Sequence, residues 1–304
     1  SCSHIYIRTT NEKVSMKEAS TVVDDIYKLL EPLCSGESID IPNDAIEDLG
    51  ENIKDVFYAW KSVSERNKKF TLRMSNIGKP SRQLWYENKS KSGNRENIDP
   101  ATFIKFMYGH VLEEILLFLV SLSGHEVTDC QKQVMVNGIS GHMDCKIDGE
   151  VVDVKTASGR AFQKFSNGTL PEDDPFGYIA QLSGYEEAEG TSEGGFLVIN
   201  KETGQLAFFQ PEELDKIHVG SRIDSLRSSL ELDTPPERCY SPVPDGKMGN
   251  MKLPKGCVYC PHKFDCHSDS NNGKGLRVFD YAKGAVYLTE VKAKPRVAEI
   301  FYER

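Results

Sequence analysis

The sequence lacks a hydrophobic run long enough to cross a bilayer, which requires ~20 consecutive apolar residues. Its most apolar stretch, residues 111–122, is shorter and contains Glu113 and Glu114, as is typical of a buried helix. The first residues, Ser1-Cys-Ser-His4, also lack the charged and apolar blocks of a signal peptide. These absences argue against a membrane or secreted protein, and we expect a cytoplasmic one.

The sequence also lacks an excess of positive charge. The formal net charge of the 304 residues is −9, which argues against a protein that coats nucleic acid with its whole surface. Basic residues are nevertheless concentrated between positions 61 and 95, where ten Lys or Arg occur with only two Glu. Such a run is either a solvated helix face or a region that contacts phosphate.

Cysteine is too sparse for a disulfide scaffold, with eight residues in a chain of 304. Four of them are scattered, namely Cys2, Cys34, Cys130 and Cys145. The other four fall close together near the end of the chain: Cys239, Cys257, Cys260 and Cys266. The second group predicts a metal site, because two cysteines separated by two residues can grip a metal from one turn.

The periodicity of the apolar residues changes from helical to alternating along the chain. Residues 16–69 and 100–122 have helical spacing, and the segment 90–100, rich in Ser, Asn and Gly, predicts a loop. Alternation then predicts strands at 131–136, 139–147 and 150–156, joined by turns at Asn137-Gly138 and Asp148-Gly149 into a meander. Further on we predict a helix at 176–187, strands at 195–200 and 205–210, a long helix at 211–232 and a hairpin at 276–291.

Two acidic residues and a lysine lie on the predicted meander. Asp153 and Lys155 are two residues apart, so their side chains leave the same face of a strand. Asp144 and Asp153 are symmetric about Asp148-Gly149, which predicts that they are cross-strand neighbours. Paired carboxylates suit Mg²⁺ or Mn²⁺, and a lysine beside them can hold water or offset charge on a phosphate. The alternative is that these residues form only the polar face of an edge strand.

This pattern resembles the PD-(D/E)XK nuclease superfamily, in particular its RecB-like and lambda-type exonucleases and the CRISPR-adaptation nucleases. Four segments carry the resemblance, which covers about residues 74–266: Gly109-His110-Val-Leu-Glu113, Gly141-His-Met-Asp144, Asp153-Val154-Lys155 and Gln181-Leu-Ser-Gly-Tyr185. It implies that Glu113, Asp144 and Asp153, with the Val154 carbonyl, bind Mg²⁺ or Mn²⁺ and that Lys155 is catalytic. It also implies that Gln181 and Tyr185 position substrate. His110 is ambiguous between a supporting residue, a spare ligand and a core histidine.

The resemblance implies an α/β (α+β) fold, in which helices flank a central mixed sheet with a restriction-endonuclease-like core. We expect a helical region at 1–72, the nuclease core at 73–232 and a segment with the cysteine cluster and hairpin at 233–304. The implied activity is metal-dependent exonuclease cleavage of DNA in recombination, repair or processing. The alternative is a non-catalytic nucleic-acid-binding protein that retains the fold. A recombinase, helicase or single-strand-binding partner and the oligomeric state are not identifiable from the sequence.

The segment before the core, Lys79-Pro-Ser-Arg82-Gln-Leu-Trp85, resembles the part of these families where an Arg meets DNA phosphate. Lys79 and Arg82 are therefore predicted phosphate contacts and Trp85 a base-stacking platform, although a Trp-Tyr pair is more often core. Several relatives carry a Cys here, where this chain has Pro80-Ser81.

The cysteine cluster resembles the iron-sulfur motif of AddB-like and CRISPR-adaptation nucleases. The resemblance implies a structural 4Fe-4S cluster held by Cys257, Cys260 and Cys266, with Cys239 replacing the N-terminal Cys of those relatives. Four thiolates fit structural Zn²⁺ as well, and His262 and His267 are alternative zinc ligands. The remaining interpretation is that these cysteines are buried free thiols that bind no metal.

Overall fold

The computed structural model describes residues 17–61, 70–90 and 100–302. Within these ranges the chain forms two compact units. One unit comprises residues 17–61, 72–78 and 100–224, and the other comprises 70–71, 79–90 and 225–302. This division differs from the three predicted segments, because the N-terminal helices belong to the same unit as the predicted core. Much of the predicted basic run, including Arg66, Lys68 and Lys91, lies outside the described residues.

Helices occupy the first part of the chain and strands begin at Val127, as the change of periodicity predicts. The helices are α1 (Val22–Cys34), α2 (Asn43–Lys61), α3 (Ser81–Lys89), α4 (Pro100–Leu122), α5 (Gly159–Ser166), α6 (Tyr178–Glu189), α7 (Val219–Glu231), α8 (Lys255–Val258) and α9 (Lys263–Cys266). No helix in the described residues is long and apolar enough to span a membrane.

The first unit contains a five-stranded sheet in the order β1-β4-β5-β6-β7. Its strands are β1 (Val127–Thr128), β4 (Cys145–Ile147), β5 (Glu150–Ala157), β6 (Gly195–Asn200) and β7 (Leu206–Phe209), and a separate ribbon pairs β2 (Gln133–Val136) with β3 (Ile139–His142). Only β5 and β6 run parallel, so the sheet is mixed. The expected α/β class, with helices around a central mixed sheet, is confirmed.

The predicted three-stranded meander is wrong in one respect. The single strand expected at 139–147 is divided into β3 and β4, and β3 pairs only with β2, outside the main sheet. The division falls at Met143 and Asp144, whose backbone groups bond to Lys132 and Gln131 instead. Both predicted turns are present, with left-handed φ values at Asn137-Gly138 and Asp148-Gly149. The break places Asp144 at the end of the sheet.

The core lies between one face of the sheet and helices α1 and α4. Val152 and Val154 on β5 pack there with buried residues of both helices, among them Ile26, Leu116 and Val120. Because side chains alternate along a strand, Asp153 and Lys155 leave the opposite face. The aliphatic contacts therefore fix which way the polar residues of β5 point.

The helix predicted at 211–232 starts later than expected. A short 3-10 turn (Glu213–Asp215) precedes α7, and Lys216 between them is extended. The Lys216 ammonium lies 3.0 Å from the Glu186 carboxylate and 2.5 Å from the Ser192 carbonyl. These bonds on a nearly buried lysine hold residue 216 in the extended conformation in which the helix cannot continue.

The second unit contains α3, α8, α9 and an antiparallel sheet in the order β12-β10-β11-β9-β8. Its strands are β8 (Val243–Asp245), β9 (Asn250–Lys252), β10 (Arg277–Tyr281), β11 (Gly284–Glu290) and β12 (Glu299–Ile300). The predicted C-terminal hairpin is confirmed as β10 and β11, and Gly284 has a φ of 112° at its turn.

Candidate active site and cysteine pocket

Strand β5 carries an acidic and a basic side chain next to each other, Asp153 and Lys155. Asp153 is only 2% exposed, and the Lys155 ammonium nitrogen lies 2.5 Å from its Oδ2 atom. Lys155 also lies 5.2 Å from the ring centroid of Tyr178, at the start of α6. The lysine is thus held between a carboxylate and the face of an aromatic ring, which limits the rotamers open to it.

Asp144 sits at the point where β4 begins. The register pairs Cys145 with Val152, so Asp144 precedes β4 next to the position of Asp153. Its Oδ2 atom accepts a hydrogen bond of 2.9 Å from the Val154 amide. Burial, followed by repulsion from Asp153 and Glu113, raises the pKa of Asp144 well above its ordinary value. The carboxylates are therefore close enough to repel one another.

Helix α4 contributes the third acid. The Glu113 carboxylate acts electrostatically on Asp144, whereas its neighbour Glu114 is 2% exposed within the helix packing. His110 is mostly exposed, and its Nδ1 atom is 3.9 Å from the Glu113 Oε2 atom. Of the two adjacent glutamates, the structure brings Glu113 toward the aspartates, and it excludes a core position for His110.

The charge on Lys155 is stabilised by the same acids. Burial alone would lower the pKa of Lys155, but attraction by Asp153 and Asp144 outweighs it and raises the pKa above its ordinary value. In this arrangement the lysine is an ammonium, which can donate hydrogen bonds and offset negative charge.

Helix α6 forms the wall behind these residues. Gln181 donates a 2.9 Å hydrogen bond from Nε2 to the Tyr185 hydroxyl, and Tyr185 is 1% exposed. Burial raises the pKa of Tyr185 to about 12. A side chain at Gly141 on β3 would meet Met74 Cβ at 2.5 Å and Tyr185 Cε1 at 2.8 Å. Glycine at 141 therefore allows β3 to approach α6 closely.

The start of α6 is fixed by a residue that the sequence analysis did not single out. The Asp174 carboxylate accepts hydrogen bonds from the amides of Gly177, Tyr178 and Ile179, at 3.0, 3.0 and 2.9 Å. From three residues before the N-cap, Gly177, Asp174 thus satisfies amides at the start of the helix and fixes the position of Tyr178 beside Lys155. Tyr178 was missed as well; the available signal for Asp174 was an acidic residue just before the helix predicted at 176–187, since Asp is favoured near a helix start.

The carboxylate side chains of this site are of the type that binds a divalent cation. Three carboxylates that repel one another and carry hard oxygen atoms are the ligands that Mg²⁺ or Mn²⁺ prefers. Among the residues that the structure describes, no three His, Cys, Asp or Glu side chains form a complete ligand group as placed. In this arrangement Lys155 supplies the positive charge that balances Asp153.

The four clustered cysteines line one cavity of the second unit, together with Arg82 and His267. Burial, followed by the nearby Cys239, Cys266 and Cys260, raises the pKa of Cys257 to about 12. Every described cysteine is a free thiol. Thiols this close would repel strongly as thiolates, a repulsion that a metal or cluster would relieve. The donor set therefore fits either iron-sulfur or zinc.

The environment of His267 is compatible with zinc as the alternative to an iron-sulfur cluster. Its side chain is 1% exposed, and neither ring nitrogen has a hydrogen-bond partner within the described residues. Burial lowers the pKa of His267 to about 4, so the imidazole is neutral. His262, the other alternative ligand, is also buried and stacks on the Tyr86 ring.

The three predicted DNA contacts all have partners within the second unit. Arg82 donates from Nε to the Cys266 sulfur at 3.1 Å and from Nη1 to the carbonyls of Pro235 and Pro236. Trp85 donates to the Leu232 carbonyl at 2.8 Å. Lys79 lies 3.2 Å from the Glu87 carboxylate. Their DNA-binding roles stay predictions, and Arg82 gains a second role at the cysteine cavity.

Comparison with known proteins finds distant structural likenesses. A phage-related exonuclease from Haemophilus somnus 129PT is 12% identical, with a TM-score of 0.37 over 53% of this chain and 93% of its own. An alkaline exonuclease from Laribacter hongkongensis is 14% identical, with a TM-score of 0.34 over 51% of this chain and 89% of its own. The same enzyme in complex with dAMP is 15% identical, with a TM-score of 0.32 over 52% and 90%.

No family model and no curated protein sequence matches the chain. The three structural likenesses are too distant to carry an argument about activity, which depends on the site residues themselves.

Proposed function

We propose that the protein is a divalent-metal-dependent DNA exonuclease. The observation that carries the proposal is the group formed by Asp144, Asp153 and Lys155, in which repelling carboxylates and an ammonium meet on one side of a mixed sheet. A purely structural ion pair needs one acid, whereas here Asp144 and Glu113 stand beside the pair, and repulsion among the carboxylates helps to raise the pKa of Asp144. A divalent cation would relieve this repulsion, which favours a cation site.

In this proposal Glu113, Asp144, Asp153 and the Val154 carbonyl hold Mg²⁺ or Mn²⁺. When bound, the metal would supply Lewis-acid polarisation of the scissile phosphate and stabilise the leaving oxygen. The Asp144 bond to the Val154 amide keeps that carboxylate in place beside Asp153. The protein therefore orients its ligands before substrate arrives.

Lys155 is the catalytic group of the proposal. Its ammonium holds the attacking water by hydrogen bonding and offsets the charge that builds on the phosphate oxygens. The Tyr178 ring limits its motion, and Gln181 and Tyr185 position the substrate from α6. Water attacks phosphorus in line with the leaving oxygen, and the P–O bond to that oxygen breaks. The OH of water stays on phosphorus and its proton ends on the leaving oxygen, so each cleavage gives one phosphate end and one hydroxyl end.

The test of this proposal measures nucleotide release from linear DNA with Mg²⁺ or Mn²⁺. Lys155→Ala should reduce release by roughly 10²- to 10³-fold, the effect of removing one group that stabilises transition-state charge. Lys132→Ala is a matched control, since Lys132 pairs with Glu189 at 2.9 Å and belongs to no proposed site. Covalently closed circular DNA should resist the enzyme, which distinguishes exonuclease from endonuclease cleavage.

We also propose that Cys239, Cys257, Cys260 and Cys266 hold a structural 4Fe-4S cluster, with structural Zn²⁺ as the alternative. The shared cavity and the mutual repulsion of the thiols support a bound group of either kind. Metal analysis and a visible spectrum of protein purified without oxygen decide between them. Iron and sulfide with absorbance that bleaches on reduction support the cluster, and colourless protein with stoichiometric zinc contradicts it.

A further inference from the structure

Two adjacent helices of the first unit expose an unusual number of aromatic side chains. Helices α2 and α4 pack together. We call the following set the aromatic surface: the exposed rings of Phe57, Tyr58, Phe103, Phe106 and Tyr108 and the half-buried ring of Trp60. Tyr58 is 65% exposed and Phe103 45% exposed. A cluster of large rings facing solvent is unfavourable unless another molecule covers it, and such patches mark binding surfaces.

Two of these rings, those of Phe103 and Trp60, form a path that leads to the candidate active site. The Phe103 ring centroid is 5.8 Å from that of Trp60, and the Trp60 centroid is 6.4 Å from that of His110. His110 Nδ1 is in turn 3.9 Å from the Glu113 carboxylate. A chain lying along this path would therefore arrive at the carboxylates that the proposed function assigns to the metal.

The charge beside the rings suits an anionic chain. Within α4, the residues before Glu113 include Lys105 and no acid, and Lys105 is exposed. The Lys201 ammonium lies 5.8 Å from the Tyr108 ring centroid. Helix α2 has five acidic residues, the last of them Asp55 two positions before Phe57, and its final residue is Lys61. Lys61, Lys105 and Lys201 therefore supply local positive charge at the ends of the aromatic surface, although the whole chain carries a net charge of −9.

We propose that the aromatic surface binds single-stranded DNA and leads it into the carboxylate site. Unpaired bases offer ring faces that stack on aromatic side chains, whereas bases in a duplex already stack on their neighbours. Lysine ammonium groups contact the phosphates between the stacked bases. This proposal names the substrate class of the proposed nuclease and so rests on it, and it places the stacking platform at Trp60 and Phe103 instead of Trp85.

The experiment uses the two tryptophans of the chain as separate reporters. Trp85→Phe leaves Trp60 as the only tryptophan, and Trp60→Phe leaves only Trp85. Each protein is titrated with a short oligothymidylate in EDTA, so that no hydrolysis occurs. We expect the oligonucleotide to quench Trp60 emission, a blunt duplex of equal length to quench it much less, and Trp85 emission to stay constant.

A second measurement follows the affinity of the labelled oligonucleotide by fluorescence anisotropy. Phe103→Ala should weaken binding roughly tenfold, the effect of losing one stacked base, and Phe103→Tyr should restore it. Phe301→Ala is the control, because Phe301 is 85% exposed and belongs to the second unit. Wild-type affinity in Phe103→Ala, or quenching of Trp85 instead of Trp60, would overturn the proposal.

Different results would overturn the proposed nuclease activity and the proposed surface for single-stranded DNA. The titrations contain no divalent metal, so an unquenched Trp60 overturns the single-strand surface without bearing on hydrolysis. Quenching of Trp60 by a protein that releases no nucleotide with Mg²⁺ or Mn²⁺ overturns the nuclease and leaves the DNA-binding surface standing.

Discussion

At the level of single residues, the site depends on carboxylates that crowd one another. Lys155 pairs with Asp153, and the Val154 amide donates to Asp144, but burial and repulsion from Asp153 and Glu113 still raise the pKa of Asp144 well above its ordinary value. The sequence predicted the two aspartates as neighbours, because the hairpin turn fixes the register. It did not predict Tyr178 beside Lys155, since that contact depends on the approach of α6 to the sheet.

The contacts of Arg82 lead to a prediction that distinguishes its two proposed roles, contact with DNA phosphate and support of the cysteine cavity. Its guanidinium donates to the Cys266 sulfur and to backbone carbonyls of the same unit. We expect Arg82→Ala to lower the iron or zinc content per chain and to speed loss of metal to a chelator, because a charged donor to the thiolate is removed. Metal analysis during dialysis against the chelator measures both.

Arg82→Lys is the matched variant, since it keeps the charge and loses the planar fork. It should retain more metal than Arg82→Ala. Unchanged metal content in Arg82→Ala, together with weaker DNA binding, would return Arg82 to the role of phosphate contact.

The contacts of Asp25 predict how the stability of the protein changes as the pH falls. The hydrogen bond from Lys17, at 2.9 Å, holds the pKa of Asp25 below its ordinary value, and His125 lies 3.2 Å away. A lowered folded-state pKa stabilises the protein above the unfolded pKa of about 4, and this stabilisation is lost as the pH falls toward the folded value. Asp25→Asn should therefore lower Tm at pH 6, and its difference from wild type should narrow as the pH falls below 4.

Thermal unfolding followed by circular dichroism between pH 6 and pH 3 measures this difference. Asp24→Asn is the matched control, because Asp24 is the neighbouring acid in the first turn of α1 and forms no ion pair among the described residues. A difference in Tm between Asp25→Asn and wild type that widens as the pH falls would contradict a stabilising role for the Asp25 carboxylate.

At the scale of elements, α6 depends on its cap. Asp174 accepts three amide hydrogen bonds at the start of the helix. Asp174→Ala should lower the free energy of unfolding by about 1–2 kcal/mol, the usual cost of losing an N-cap, and Asp174→Asn should recover part of it. Urea unfolding measures the change, with the exposed Glu172→Ala as control; equal losses in both variants would contradict a capping role.

The elements also show where prediction from sequence succeeded and failed. The turns at Asn137-Gly138 and Asp148-Gly149 were predicted, because their residues favour left-handed backbone. The break between β3 and β4 was missed, since Met143 and Asp144 leave the ladder for partners on the segment before β2. The delayed start of α7 was missed as well, because it depends on the contact of Lys216 with Glu186. Local chemistry predicts turns, whereas breaks of this kind come from tertiary contacts.

At the level of the whole molecule, the acidic net charge is compatible with the proposed DNA binding, because that proposal depends on local charges. Each unit holds one candidate centre: the carboxylates and lysine lie in the first and the cysteine cavity in the second. The fold class was predicted correctly, on the resemblance of the site motifs to the nuclease superfamily. The aromatic surface was not, because exposure of a ring depends on what packs around it and periodicity does not report that.

The carboxylates of Asp144, Asp153 and Glu113 are proposed to hold a metal that cleavage of DNA requires. The most direct measurement is nucleotide release from linear DNA as a function of Mg²⁺ concentration, for the wild type and Asp153→Asn. We predict no release in EDTA, saturable release with Mg²⁺, and a rate for Asp153→Asn that is at least ~10²-fold lower at saturation. Release that persists in EDTA, or that is equal in Asp153→Asn and wild type, would contradict the claim.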